Sequence, residues 1–277
     1  GLQPSIPELK VQHVRLPLYW SEIEPEQGQY RWEEVDEHLD LLEKNHIPVT
    51  LAVGIKVPRW PECWLPSWTN MLTVVEREQV LQDYLREVVA HTGPRKNIEA
   101  WQVENEPFFP FGICPERTKQ QVEAEVTFMR ELDPRTNGRQ IVTTDSGELG
   151  LWRPTAAVID AIGFSVYRVT NATFLGVRTY DWVPPWWYFR KSLLTQLFPG
   201  SRPTYISELQ MEPWVSVGMR EATIEQMFET FPLTRMQNNR WFLERARINR
   251  VDLWGAEWWY WMAQQKNHPE FWEEAKR

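Results

Sequence analysis

Short β-branched or apolar runs alternate with longer amphipathic stretches along the whole chain, which is the rhythm of βα units. The runs at 13–20, 47–55, 98–107, 140–146, 161–169, 203–210 and 251–261 predict seven strands, each bounded by Pro, Gly, Asn or Asp. The stretches between them predict helices. Residues 33–45 put Val35, Leu39 and Leu42 on one face, and residues 72–91 do the same with Val75, Val80, Leu81, Leu85 and Val88. A third helix over 116–132 stops before Asp133-Pro134, and a long one over 224–249 is broken at Phe231-Pro232. Such helices cover a parallel sheet that is buried on both faces. No low-complexity tract or Gly/Ser linker interrupts the alternation, so residues 1–277 read as a single catalytic barrel domain. Units of about 35 residues fit a parallel barrel better than a doubly wound sheet, whose first turn would be Gly-rich. The predicted fold class is α/β, a TIM-type (β/α) barrel with seven recognisable parallel strands.

A parallel barrel carries its chemistry at the carboxyl ends of its strands. Two glutamates stand there: Glu106 closes the run Trp101-Gln102-Val103-Glu104-Asn105-Glu106-Pro107, and Glu208 closes Thr204-Tyr205-Ile206-Ser207-Glu208. They come from different strands and are expected to face each other across the mouth. A pair of carboxyls does acid and base work when one is kept neutral and the other ionised. At about 5 Å apart, one attacks an anomeric carbon while the other protonates the leaving oxygen, and a wider gap implies inversion. Either residue taken alone reads equally well as a strand-end glutamate paired with an arginine.

Composition sharpens this picture. Seventeen Trp exceed what a core needs and point to a surface that holds something flat and partly apolar. Trp60, Trp64 and Trp68 crowd one Pro-rich loop, while Trp186, Trp187 and Trp214 follow later strands, and such rings match the C–H face of a pyranose. A net charge of −8 argues against nucleic acid and an anionic bilayer as partners, and no apolar run reaches membrane-spanning length. No leader stands at Gly1, so the compartment stays open, with a slight lean to the cytoplasm. Cys63 and Cys114 sit in separate Pro-containing loops and read as two reduced thiols ahead of a disulfide. Five His without ligand spacing predict no metal, and nothing implies a cofactor.

Asn105-Glu106-Pro107, Ile206-Ser207-Glu208, Arg15-Leu16-Pro17 and Trp20-Ser21-Glu22-Ile23-Glu24-Pro25, in that order, resemble the clan A glycoside hydrolases, the four-seven superfamily of retaining enzymes. The resemblance covers nearly the whole chain. It implies Glu106 as general acid/base and Glu208 as nucleophile, in agreement with the residues picked by position. It further implies that Arg15 keeps Glu208 ionised, that Asn105 donates to the sugar 2-hydroxyl, that Tyr167 hydrogen-bonds the nucleophile, and that Trp259 forms the platform under the reacting sugar; from the Trp-rich loops, Trp60 and Trp214 are expected as further sugar contacts. For each there is a plainer reading: a salt bridge for Arg15, a turn for Asn105, core packing for Tyr167. The sequence departs from the clan in two places. Only 12 residues precede His13, so the first βα unit is expected to be missing, with 6–11 as the tail of its helix; the clan's usual His is absent around Gly54-Ile55-Lys56. An open barrel leaves unpaired edges at His13 and Val251, which offer a route to self-association.

The function expected is therefore a retaining β-glycosidase acting on a small-molecule or oligosaccharide substrate. A non-catalytic carbohydrate-binding barrel is the alternative, and sugar binding without turnover would select it.

Overall fold

The computed structural model describes residues 2–134, 137–152, 158–172, 176–197 and 202–277. Seven parallel strands form one sheet: β1 (Val14–Pro17), β2 (Val49–Val53), β3 (Ile98–Val103), β4 (Gln140–Ser146), β5 (Ala161–Val166), β8 (Thr204–Gln210) and β9 (Val251–Trp254), in chain order. A separate antiparallel hairpin, β6 (Val169–Ala172) with β7 (Gly176–Thr179), stands on the loop after β5. All five residues of β2 and all six of β5 are buried, as expected for strands covered on one face by helices and packed on the other inside a barrel. The helices Glu33–Lys44, Val74–Thr92 and Lys119–Leu132 lie where the apolar periodicity put them. The break at Phe231-Pro232 is also present, between the helices Ile224–Thr230 and Leu233–Ala246.

Most of the core lies between sheet and helices, with Trp20, Trp101, Phe164 and Tyr188 among its largest members. A second, small cluster of Ala100, Val142, Ala161 and Tyr205 fills the inside of the sheet. The strand order runs from β1 to β9 without a ladder between those two ends among the described residues. Side chains cross that seam instead. His13 Nδ1 lies 3.1 Å from Asp252, Arg250 lies 2.9 Å from His13 Nε2, and Arg250 also reaches Glu99 of β3 at 2.8 Å. Outside the seam, Trp272 Nε1 donates to Glu8 at 2.7 Å, tying the N-terminal helix Leu2–Leu9 to the last one, Glu270–Ala275. The barrel is thus nearly closed, by side chains where a backbone ladder is lacking.

Two expectations need correction. Cys63 and Cys114 form a disulfide with their Cα atoms 5.2 Å apart, because the loops after β2 and β3 stand side by side on the rim. The run 251–261 is not one strand either. β9 ends at Trp254, and Gly255 (φ +142) turns the chain into the helix Ala256–Gln265. A Cβ on Gly255 would lie 2.7 Å from the Met211 carbonyl oxygen, so the turn requires glycine.

Candidate active site

Glu106 and Glu208 meet at the carboxyl end of the sheet, and both are buried, at 9% and 7% exposure. β3 stops at Val103, and the chain then turns through Glu104 (φ +59) and Glu106 (φ +44), left-handed conformations uncommon for residues with a Cβ. The Glu106 amide donates to Thr144 Oγ1 at 2.9 Å, and the Asn105 amide donates to the Lys56 carbonyl at 2.6 Å. Neighbouring strand ends therefore hold a strained turn that aims Glu106 inward. A register irregularity between Phe164 and Ser165 sets Ser165 opposite Glu208. Ser165 Oγ in turn donates to Glu106 Oε1 at 2.6 Å, so the residue that lies beside Glu208 in the sheet also holds the Glu106 carboxyl.

Their surroundings differ in sign. Glu208 pairs with the Arg15 guanidinium through Oε1 and accepts from the Tyr167 hydroxyl at 2.8 Å through Oε2. Glu106 has no side-chain cation in hydrogen-bond contact: Lys56 Nζ donates to the backbone carbonyls of Glu106 (3.0 Å) and Phe109 (2.8 Å). Burial, and then the charge of Glu208, push the Glu106 carboxyl up to about 8. Burial, followed by the same charge, also drives the Tyr167 phenol well above its ordinary range, so it stays a donor.

Asn105 is buried beside the pair; its Oδ1 accepts from Thr144 Oγ1 (2.8 Å) and Gln102 Nε2 (3.2 Å), and its Nδ2 donates to Glu62 (3.0 Å). Position in the sequence gave no reason to single out Glu62, which belongs to a loop rather than a strand end. Trp259 lies away from the cup, in the helix after β9, with 3% exposure and its Nε1 bonded to the Met211 carbonyl. The ring beside the pair is Trp254, at the true strand end. Arg15 and Arg59 lie 5.4 and 4.8 Å from its centroid, and its Nε1 donates to Glu212 at 2.9 Å. Trp214 meets Phe111 at 5.1 Å and the edge of Tyr167 at 5.1 Å, while Trp60, 60% exposed, stands over Phe111 at 5.8 Å. These rings form an aromatic rim above Glu106 and Glu208. Arg59 closes another part of the rim through Glu257 at 2.6 Å and Glu212 at 3.5 Å. Among the described residues, no group of three or more His, Cys, Asp or Glu could hold a metal ion, and no helix is long and apolar enough to cross a membrane.

A family model described as glycosyl hydrolase family 10 matches residues 17–127, which include β2, β3 and Glu106. Solved structures share the fold. GH5_18 from Bifidobacterium longum subsp. longum superposes with a TM-score of 0.62 at 15% identity, over 90% of this chain and 62% of that one. The chain has the (β/α) barrel fold of these glycoside hydrolases. A β-galactosidase from the psychrophilic Marinomonas ef1 (TM-score 0.62, 15% identity, 99% of this chain and 55% of that one) has the same fold. So does xylanase 10B from Thermotoga maritima (TM-score 0.56, 18% identity, 95% and 86%). The chain spans about three fifths of the Bifidobacterium relative's length. No curated protein matches it in sequence.

Proposed function

We propose that this barrel is a retaining β-glycosidase, with Glu208 as nucleophile and Glu106 as general acid/base. The observation that carries the reading is the unequal treatment of two carboxyls at one end of the sheet: Arg15 and Tyr167 serve Glu208, while Glu106 is bonded by one neutral hydroxyl and pushed up to about 8. The ionised Glu208 attacks the anomeric carbon as the Glu106 proton passes to the glycosidic oxygen, and the C–O bond to the leaving group breaks. Ser165 occupies Oε1 of Glu106, so the transferred proton sits on Oε2. In the second half, the Glu106 carboxylate takes a proton from water, the water oxygen bonds to the anomeric carbon, and Glu208 departs as carboxylate.

Asn105 Nδ2 is bonded to Glu62 through one hydrogen, which leaves the other for the sugar 2-hydroxyl. Trp254 takes the place of Trp259 as the platform, and Trp60 and Trp214 supply apolar faces for the sugar or its leaving group. The test is turnover of aryl β-glycosides followed by NMR of the first-formed anomer. Wild type is expected to release the β-anomer, and Glu208→Gln to lose at least about a thousand-fold in kcat. Unchanged turnover in Glu208→Gln defeats the assignment, and sugar binding with no turnover in wild type selects a binding barrel.

A further inference from the structure

Glu62 is held in place by more of the fold than a solvent-facing loop residue needs. It is 7% exposed and adopts a left-handed backbone (φ +73). Its amide donates to Arg59 O at 2.8 Å, and its carbonyl accepts from Val57 N at 2.9 Å. The next residue, Cys63, is bonded to Cys114, and Ile113 N donates to Pro61 O at 3.0 Å. Gly112 (φ +96) lies so close that a Cβ there would fall 2.6 Å from the Glu62 Cβ. Two loops are thus clamped together around a single carboxyl. The placement is costly, since burial and then the charge of Glu208 push Glu62 up to about 7. No packing requirement explains it: Oε2 accepts from Asn105 Nδ2 at 3.0 Å, and Oε1 has no hydrogen-bond partner among the described residues.

We propose that Glu62 positions the Asn105 amide and, through Oε1, accepts a hydrogen bond from the 3-hydroxyl of the sugar being cleaved, so that the site selects glycosides with free hydroxyls at both C2 and C3. The first half follows from the amide network. Thr144 and Gln102 hold Oδ1 and Glu62 holds Nδ2, which fixes which face of the amide is a donor. The second half follows from adjacency. Glu62 Oε2 is bonded to Asn105 Nδ2 at 3.0 Å, so the other oxygen of the same carboxyl lies next to the amide, as neighbouring hydroxyls on a pyranose lie next to each other. With Asn105 on the 2-hydroxyl and C1 reacting, the neighbouring hydroxyl is the one on C3. An ionised Glu62 accepts there through Oε1, and a neutral one still offers a hydroxyl lone pair at that atom.

This inference rests on the proposed reaction for which sugar ring it concerns, and its test is separable from that reaction. The 4-nitrophenyl β-glycoside cleaved fastest by wild type among the gluco, galacto, manno and xylo forms is compared with its 3-deoxy analogue. The kcat/KM ratio is taken within each variant, so a partly unfolded sample does not alter it. Wild type should prefer the parent by about 10- to 100-fold, Glu62→Ala should show almost no preference, and Glu62→Gln should keep part of it. Glu62→Ala should also weaken discrimination against the 2-deoxy analogue, because Asn105 loses its anchor. The same ratios are read without turnover by titrating the tryptophan fluorescence of wild type and Glu62→Ala with the parent and deoxy sugars. Binding that discriminates without hydrolysis leaves Glu62 in its role and removes the glycosidase. Glu62→Ala discriminating as wild type does, or a chain that binds no sugar, overturns the inference.

Discussion

Glu104 and Glu106 are two residues apart at one strand end, both buried and both left-handed, yet they serve opposite sides of the sheet. Glu104 points back. It accepts from the amides of Ile55 (3.0 Å) and Lys56 (2.7 Å), and lies in a wedge with Glu125, Glu78 and the buried Arg117, which reaches Glu125 at 2.6 Å and Glu78 at 2.5 Å. Gly54 (φ +118) is required there, since a Cβ would stand 2.8 Å from Glu104 Oε1. Glu106 points forward, toward a serine hydroxyl and another carboxylate. Glu104, wrapped by amides beside a guanidinium, braces the loop after β2, whereas burial and the charge of Glu208 favour the protonated form of Glu106, which has no cation in contact.

The sharpest break in this contrast is Glu106→Gln. Loss of the donor should lower kcat/KM by about 10²- to 10⁴-fold on glycosides with poor leaving groups. In wild type, kcat/KM should fall as pH rises through about 8, where Glu106 loses its proton, and a pH series on the variant should lack that limb. An alkaline limb unchanged in the variant assigns the titration to another group.

On the back side, Arg117→Met leaves three buried or half-buried carboxyls without their cation. Urea unfolding should show a loss of about 3–5 kcal/mol, while kcat of the folded fraction changes little. A variant as stable as wild type would mean that the wedge carries its charge without Arg117.

The smallest expected effect is a slope. Glu62, Glu148 and Glu212 are pushed up to about 7 and Glu106 to about 8, in each case chiefly by burial. Each binds its proton more tightly folded than unfolded. Their contribution to stability is therefore whole below the usual carboxylate range and lost as pH rises through 7 to 8. His13 is also raised: burial opposes the shift, but Asp252 and Glu99 outweigh it, so it adds in the same direction. Asp36, Glu99 and Asp133, held below the usual range, titrate beneath this window. The urea midpoint should be higher at pH 5.5 than at pH 8.5, and a rise instead would contradict the burial of these groups.

The strands and the places of Glu106, Glu208, Arg15 and Tyr167 were legible because barrel chemistry sits where apolar runs end. The stretch Trp254-Gly255-Ala256-Glu257-Trp258-Trp259 was misread because an apolar run of that length fits strand and helix alike, and only the close approach of Gly255 to Met211 decides between them. Glu62 and the Cys63–Cys114 bond were illegible for a shared reason. Both depend on two loops meeting across 51 residues of chain, and no local pattern records that meeting.

The seam between β1 and β9 has a mechanical consequence. A hoop of backbone ladders holds its circumference regardless of ionic conditions, but this one is completed by His13, Asp252, Arg250 and Glu99, whose attractions weaken with salt and with loss of the imidazole proton. Arg15 and Trp254 sit on the two strands that flank the seam. Any widening there is felt first by the guanidinium that holds Glu208, so the girth of the barrel and the aim of its carboxylate are one variable.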